Sequence, residues 1–223
     1  MTGSRNEEAS SMRARIKALA LDLLVQHGYR GVSFGDIAQS LGITRANIHY
    51  HFGNKQALVE EVLDDYVAAT TAALSELWAK PGEALAEKLA IMIDYSRKRY
   101  QRYNAKGESG RPWSLIARLR QDGDALSPRC HAALQRFEKD LNATITAAIE
   151  QAKARHEYAS WMPVGDVAVL LVSIANSASP ITQDAGSFDR LEKLYMAFAR
   201  IVEHAFAADR PLPQARQAGR RRR

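Results

Sequence analysis

The chain has 223 residues, with 31 Lys plus Arg against 25 Asp plus Glu, a formal charge of +6, and a single cysteine, Cys130. That length allows one or two domains, and one cysteine excludes an internal disulfide framework and fits a reducing compartment. The basic balance is mostly local: Arg216, Arg220, Arg221, Arg222 and Arg223 lie in the last eight residues, and without them 26 cations face 25 anions.

The pattern predicts helices from end to end, and no alternating segment competes for a strand. Met12, Ile16, Leu19, Ala20, Leu23 and Leu24 form the stripe of a first helix, ended by Gly28. Ser33 is placed to cap a second helix, with Asp36 three residues on as its reciprocal partner, and Ile37, Ala38 and Leu41 recur at helical spacing. Gly42 stands where the chain must reverse, and Thr44 caps a third helix with Ile48 and Phe52 as its apolar stripe. The small Ala38, four residues before the turn glycine, suits two helices crossing closely at a steep angle. This spacing is that of a helix-turn-helix.

After Asn54 a long helix through about Trp78 links the head to a body, and Pro81-Gly82 stops it. Further helices are expected at about 83–104, 112–121, 128–157, 164–179 and 188–208, separated by Gly107 to Pro112, Ser127-Pro128, Pro163 and Gly186-Ser187. The expectation is an all-α protein of about nine helices. Residues 1–54 form the N-terminal arm and helix-turn-helix head, 55–209 a helical bundle, and 210–223 an Arg-rich tail whose composition predicts disorder. The tail reads either as a solvated end or as a nonspecific DNA tether.

With Ile48 pointing into the core, a wheel at 100° per residue puts Ala46 and Tyr50 outermost, Asn47 and His49 on the flanks, and Arg45 and His51 nearer the buried edge. Such groups suit a DNA groove: Asn pairs with adenine, Arg with guanine, and Tyr or His reaches phosphate oxygen. From Ile37 through Val59 there is no carboxylate, as a surface meeting phosphates requires. A helical adaptor whose head docks protein is the rival reading, and this gap in negative charge counts against it.

Three segments carry a resemblance: Gly28-Tyr-Arg-Gly-Val-Ser-Phe, Asp36-Ile-Ala-Gln-Ser-Leu-Gly-Ile-Thr, and Ile48-His-Tyr-His-Phe-Gly-Asn-Lys-Gln-Ala-Leu. From about Arg13 to Tyr66 the chain resembles the N-terminal domain of TetR-type transcriptional regulators. The resemblance implies an all-helical homodimer whose three-helix heads bind double-stranded DNA at a roughly palindromic operator. It also implies a C-terminal bundle that dimerises and holds a small-molecule effector, with repression as the default and activation as the alternative. Position by position, Thr44, Arg45, Ala46, Asn47, His49 and Tyr50 match the recognition helix, and Lys55 matches a phosphate-contacting lysine; with Ser33 these are the candidate DNA contacts. His49 stands where the family usually has Tyr, and Ala46 where it often has Gly.

The last two helices are the expected dimer surface, through Val167, Leu170, Leu171, Ile174 and Ala178 on one and Leu191, Leu194, Tyr195, Phe198, Ile201, Val202 and Phe206 on the other. The same stripes would also serve to close the monomer's own core. Candidate effector contacts are Tyr103, Trp113 and Phe137, with Arg99 and Arg102 available to an anionic ligand. Adjacent Cys130 and His131 point about 100° apart on a helix and do not share a metal easily. No nucleophile elbow, phosphate-binding loop, zinc-protease pair or dinucleotide glycine motif is present, so neither cofactor, metal nor enzymatic activity is expected. No apolar run reaches the roughly 18 residues of a membrane span. The N-terminal stretch lacks a signal-peptide core, so a cytoplasmic protein is expected.

Overall fold

A computed structural model of the protein describes residues 2–105 and 109–208; the Arg-rich tail and part of the expected 107–112 loop lie outside them. Ten α-helices and one 3₁₀ turn (Gly123–Ala125) make up the regular structure of the described residues. In the head, α1 (Thr2–His27), α2 (Phe34–Leu41) and α3 (Arg45–Phe52) form three walls around Ile16, Ala20, Leu24, Ile37 and Ile48. Helix α4 (Lys55–Ala79) runs from the head into the body and packs along α7 (Pro128–Ala154). Around these two lie α5 (Leu85–Tyr103), α6 (Leu115–Gln121), α8 (Val164–Asn176), α9 (Ala178–Ala185) and α10 (Asp189–Phe206). One buried cluster is continuous from Ile16 and Ile48 through Leu58, Val62 and Trp78 to Tyr195, so α4 belongs to the cores of both head and body.

The local signals at the head act as their chemistry requires. Ser33 and Asp36 form the reciprocal box: the Asp36 carboxylate accepts from the Ser33 N–H at 2.8 Å and from its hydroxyl at 2.7 Å. Thr44 accepts from the Asn47 N–H at 3.2 Å. Gly42 sits in the left-handed region at φ +66°, where the N–H groups of Gly42 and Ile43 return to the carbonyls of Gln39 and Ala38. This is the paired ending that satisfies the last carbonyls of a helix.

Three boundaries differ from expectation, two because a tertiary bond outweighs local propensity and one because of a proline. The helix expected from 112 begins at Leu115, since the Trp113 N–H donates to the Ser179 hydroxyl at 3.3 Å and Ser114 becomes the cap. Helix α7 ends at Ala154, not 157: His156 takes a positive φ of 60°, and Tyr158 and Ala159 pair with the end of α10. The single helix expected at 164–179 is two helices bent by 54°, with α9 occupying part of an expected loop. Pro180 lacks an N–H and its ring would meet the Asn176 carbonyl in a straight helix, so the chain turns before it.

No single helix of the described residues is long and apolar enough to cross a membrane. At the far end of α4, the fully buried Lys88 donates to the carbonyls of Trp78 at 2.7 Å and Lys80 at 2.5 Å, a cap that the apolar pattern did not reveal. Burial lowers its pKa, because the charged form loses solvent.

The stripes expected to form the dimer surface, now on α8, α9 and α10, lie mostly inside the monomer. Val167, Leu171, Ala178, Leu191, Tyr195, Phe198 and Val202 are buried in its own core, and Ile174 and Phe206 are partly buried. Leu170 and Ile201 do remain exposed, at 59% and 65%, and are joined by Val169 at 57% and Met196 at 44%.

Two outcomes test the head. A Cβ on Gly42 would meet nothing within 4 Å, so Gly42→Val acts through backbone strain alone. It should cost about 1–3 kcal/mol in a denaturant melt. The Asp36 pKa is lowered, chiefly by its side-chain bond to Ser33. Stability from this box is therefore present above the unfolded aspartate value and lost as pH falls through the lower folded one. Asp36→Asn should flatten the acid limb of the melting-temperature profile and leave the neutral limb sloped as before.

Candidate functional site

Helix α3 is fixed from three sides. Ile48 and Phe52 are buried against α1 and α2. Arg13 of α1 donates to the His51 carbonyl and to Glu61, with its guanidinium 4.3 Å from the Phe52 ring centroid. A cation at a helix C-terminus favours the dipole there, and Arg13 thereby ties α3 to α4. Sequence spacing gave no sign of this role, because the partner is 38 residues away.

The face left outward carries most of the expected set. Ser33, Thr44, Arg45, Ala46, His49 and Tyr50 are exposed, Tyr50 at 82%. Arg45 is exposed although its wheel position lies nearer the buried edge, with its guanidinium against Gly35 of α2. Asn47 is less free: it is half-buried, and its Oδ1 is buried without a hydrogen-bond partner. The Ser33 hydroxyl already donates to Asp36, whereas the Thr44 hydroxyl only accepts within the cap.

His49 is held in one orientation. Its ring meets Phe34 edge-on at 4.8 Å, and Nδ1 lies 2.7 Å from the Gly53 carbonyl. A carbonyl only accepts, so Nδ1 carries the hydrogen and the neutral ring presents Nε2 as an acceptor. Only the protonated ring donates from Nε2. The neutral side chain thus suits an exocyclic amine of a base better than a phosphate.

Lys55, the expected phosphate contact, also bonds within the head. Its ammonium donates to the carbonyls of Tyr29 at 2.9 Å and Val32 at 3.0 Å and lies 4.3 Å from the Tyr29 ring centroid. Two of its donors are thus committed to the α1–α2 turn, and Lys55 acts first as a clamp within the head. The same turn is held from the body: the Tyr29 N–H donates to Asp122 at 2.8 Å, Arg118 donates to the His27 carbonyl at 3.1 Å, and Arg30 pairs with Asp124.

In the body, Tyr103, Trp113 and Phe137 surround two adjoining cavities. Trp113 lies between them, Phe137 faces the inner one, and Tyr103 faces the outer, of about 340 Å³, bounded by α1, α4 and α5. The Trp113 indole N–H donates to Thr182 at 2.8 Å. Tyr103 donates to Asp22 at 2.9 Å, and its phenol is raised above the ordinary tyrosine range, first by burial and then by that bond. Arg102 pairs with the same carboxylate at 2.8 Å. Cys130 is buried, and burial raises its thiol pKa, which disfavours the reactive thiolate. Among the described residues no group of three or more His, Cys, Asp or Glu is placed to hold a metal.

The head matches the family model described as bacterial regulatory proteins, tetR family, over residues 16–62, the stretch that holds α1 to α4 in this arrangement. The head is thus similar to the DNA-binding domain of that family. It is 29% identical over 100 residues to the HTH-type transcriptional regulator RutR of Escherichia coli, covering 43% of this chain and 46% of RutR. It is 33% identical over 94 residues to AcrR of Shigella flexneri, covering 42% of this chain and 44% of AcrR. These TetR-family relatives are thus matched over less than half of their length. The whole fold is shared more widely: a TetR-family regulator from Agrobacterium tumefaciens superposes with TM-score 0.73 at 22% identity, covering 89% of this chain and 99% of that one. Reduced E. coli NemR superposes with TM-score 0.72 at 18% identity, covering 91% and 100%.

Lys55→Ala removes two charge-assisted hydrogen bonds from a half-buried clamp. It should lower the unfolding free energy by about 2 kcal/mol in denaturant titration. An unchanged midpoint would show that water replaces the ammonium at no cost.

Proposed function

We propose that this chain is a homodimeric, sequence-specific DNA-binding repressor of the TetR family, released by a small-molecule effector. The observation that carries the reading is the outward face of α3: Arg45, Ala46, His49 and Tyr50 exposed around a buried Ile48, within a stretch free of carboxylates from Ile37 to Val59. Arg45, Asn47 and His49 serve base edges, while Thr44 and Tyr50 serve the phosphates. Ser33, exposed at the start of α2, serves as a further phosphate contact. Lys55 has one ammonium hydrogen beyond those on the two carbonyls, which is available to a phosphate.

Two heads must be held at a fixed distance to read successive major grooves, about 34–36 Å apart, on a palindromic site. The exposed Val169 and Leu170 of α8 and Met196 and Ile201 of α10 supply an apolar face for that pairing, with the small Ser173 and Ser177 beside it. Occupied DNA excludes polymerase, so repression follows from binding across a promoter; binding upstream of one would make the same protein an activator. The body cavity beside Trp113 serves the effector. Its link to the head is α6, whose first N–H is donated to Tyr66 of the cavity at 3.2 Å and whose far end leads into Asp122 on Tyr29. An effector shifts the head only by its differential affinity for the two arrangements. The working place of such a protein is the cytoplasm, on DNA.

The operator is found by selecting bound duplexes from a random pool. On the recovered site, Tyr50→Ala should weaken binding by about 1–3 kcal/mol with an unchanged melting temperature. A loss of fold would instead make Tyr50 a structural residue. Leu170→Glu combined with Ile201→Glu should give a monomer in light scattering that no longer binds the full palindrome. A persistent dimer would move the interface elsewhere.

A further inference from the structure

The outer body cavity is electrostatically one-sided. Arg99 of α5 projects to the boundary between the two cavities and donates to the phenol oxygens of Tyr95, at 2.9 Å, and Tyr66. Its guanidinium carbon lies 4.9 Å from the Tyr66 ring centroid and 5.4 Å from that of Tyr95. The Tyr66 oxygen also accepts the Leu115 N–H, so its hydrogen is left to point elsewhere. The result is a cluster of donors: the spare guanidinium hydrogens and two phenol hydrogens, with no carboxylate among the described residues in an ion pair with Arg99. The other cation on the outer wall, Arg102, is already paired with Asp22.

A half-buried guanidinium is normally matched by an anion, because burial removes the water that would otherwise stabilise the charge. The rest of the outer wall is mainly apolar or aromatic, with Leu21, Ala69, Ala73, Tyr103 and Trp113, and adds Thr70 and the Asp22-paired Arg102. Its volume of about 340 Å³ falls in the range of small-molecule sites. Inorganic phosphate would leave that apolar wall unused, and an organic cation would meet like charge. We propose that this cavity binds an organic carboxylate, its carboxylate on Arg99 in the two-pronged geometry that guanidinium favours and its aromatic or aliphatic part against Ala69, Ala73 and Trp113. This names the chemical class of the effector and rests on the effector reading given above.

The test is calorimetric titration of the full chain with phenylacetate, 3-phenylpropionate and octanoate, each beside its neutral amide and with benzylamine as the cation control. At least one carboxylate should bind at one site per chain, at least about tenfold tighter than its amide, the worth of one charge-assisted hydrogen bond. Arg99→Gln should abolish that preference and Arg99→Lys retain part of it. Tyr95→Phe, which keeps the charge and the packing, should weaken the acid severalfold and leave the amide unchanged. Amides binding as tightly as acids, an acid preference that survives in folded Arg99→Gln, or no saturation by any carboxylate at about 1 mM would overturn the inference. Operator affinity is measured separately with the bound acid present. A carboxylate that binds through Arg99 yet leaves operator affinity unchanged upholds the site and rejects release by effector.

Discussion

The turn from Gly28 to Val32 is the constraint on which the rest depends. Its backbone is gripped from both sides: Lys55 of α4 takes the carbonyls of Tyr29 and Val32, and Asp122 beyond α6 takes the Tyr29 N–H. Gly28 has φ +73°, and a Cβ there would stand 2.4 Å from the Asp122 carboxylate, so no other residue permits this approach. The turn sets where α2 begins, α2 sets the crossing with α3, and the face of α3 is what DNA would meet. A short polar junction thus fixes the aim of an apolar head.

This junction also explains how one continuous core can carry two tasks. Apolar contacts along α4 are nondirectional and join head to body without fixing their angle. The angle comes from the directional bonds at Tyr29, His27 and Asp124, all on the segment around α6. The first turn of α6 lines the inner body cavity and the residue after its last turn bonds the head, so α6 is the element through which a ligand in the body would reach the aim of α3.

How much of this was legible in the sequence depended on how far apart the partners lie. The Ser33–Asp36 box, the Thr44 cap and the left-handed Gly42 join residues three to five positions apart, and spacing alone specified them. The burial of Ile48 and exposure of Tyr50 followed from helix periodicity. Lys55 was visible as a cation beside the recognition helix, but its partners are 26 and 23 residues upstream, so its clamp was not. Arg13 on His51 was hidden for the same reason, whereas the tautomer of His49 is set by Gly53 only four residues on and was hidden because periodicity reports which face is buried, not which atom waits there.

The sequence by itself determined an all-helical chain, the helix-turn-helix, the faces of its helices and the local origin of the excess positive charge, since each of these rests on interactions within a few residues or on composition. Tertiary structure decided the early end of α7, the late start of α6, and the division of the α8 and α10 stripes between core and surface. It also decided that Arg99 would stand between two phenols, in an ion pair with no acid among the described residues. These outcomes depend on which distant donor reaches which acceptor first, and a one-dimensional pattern does not encode that competition.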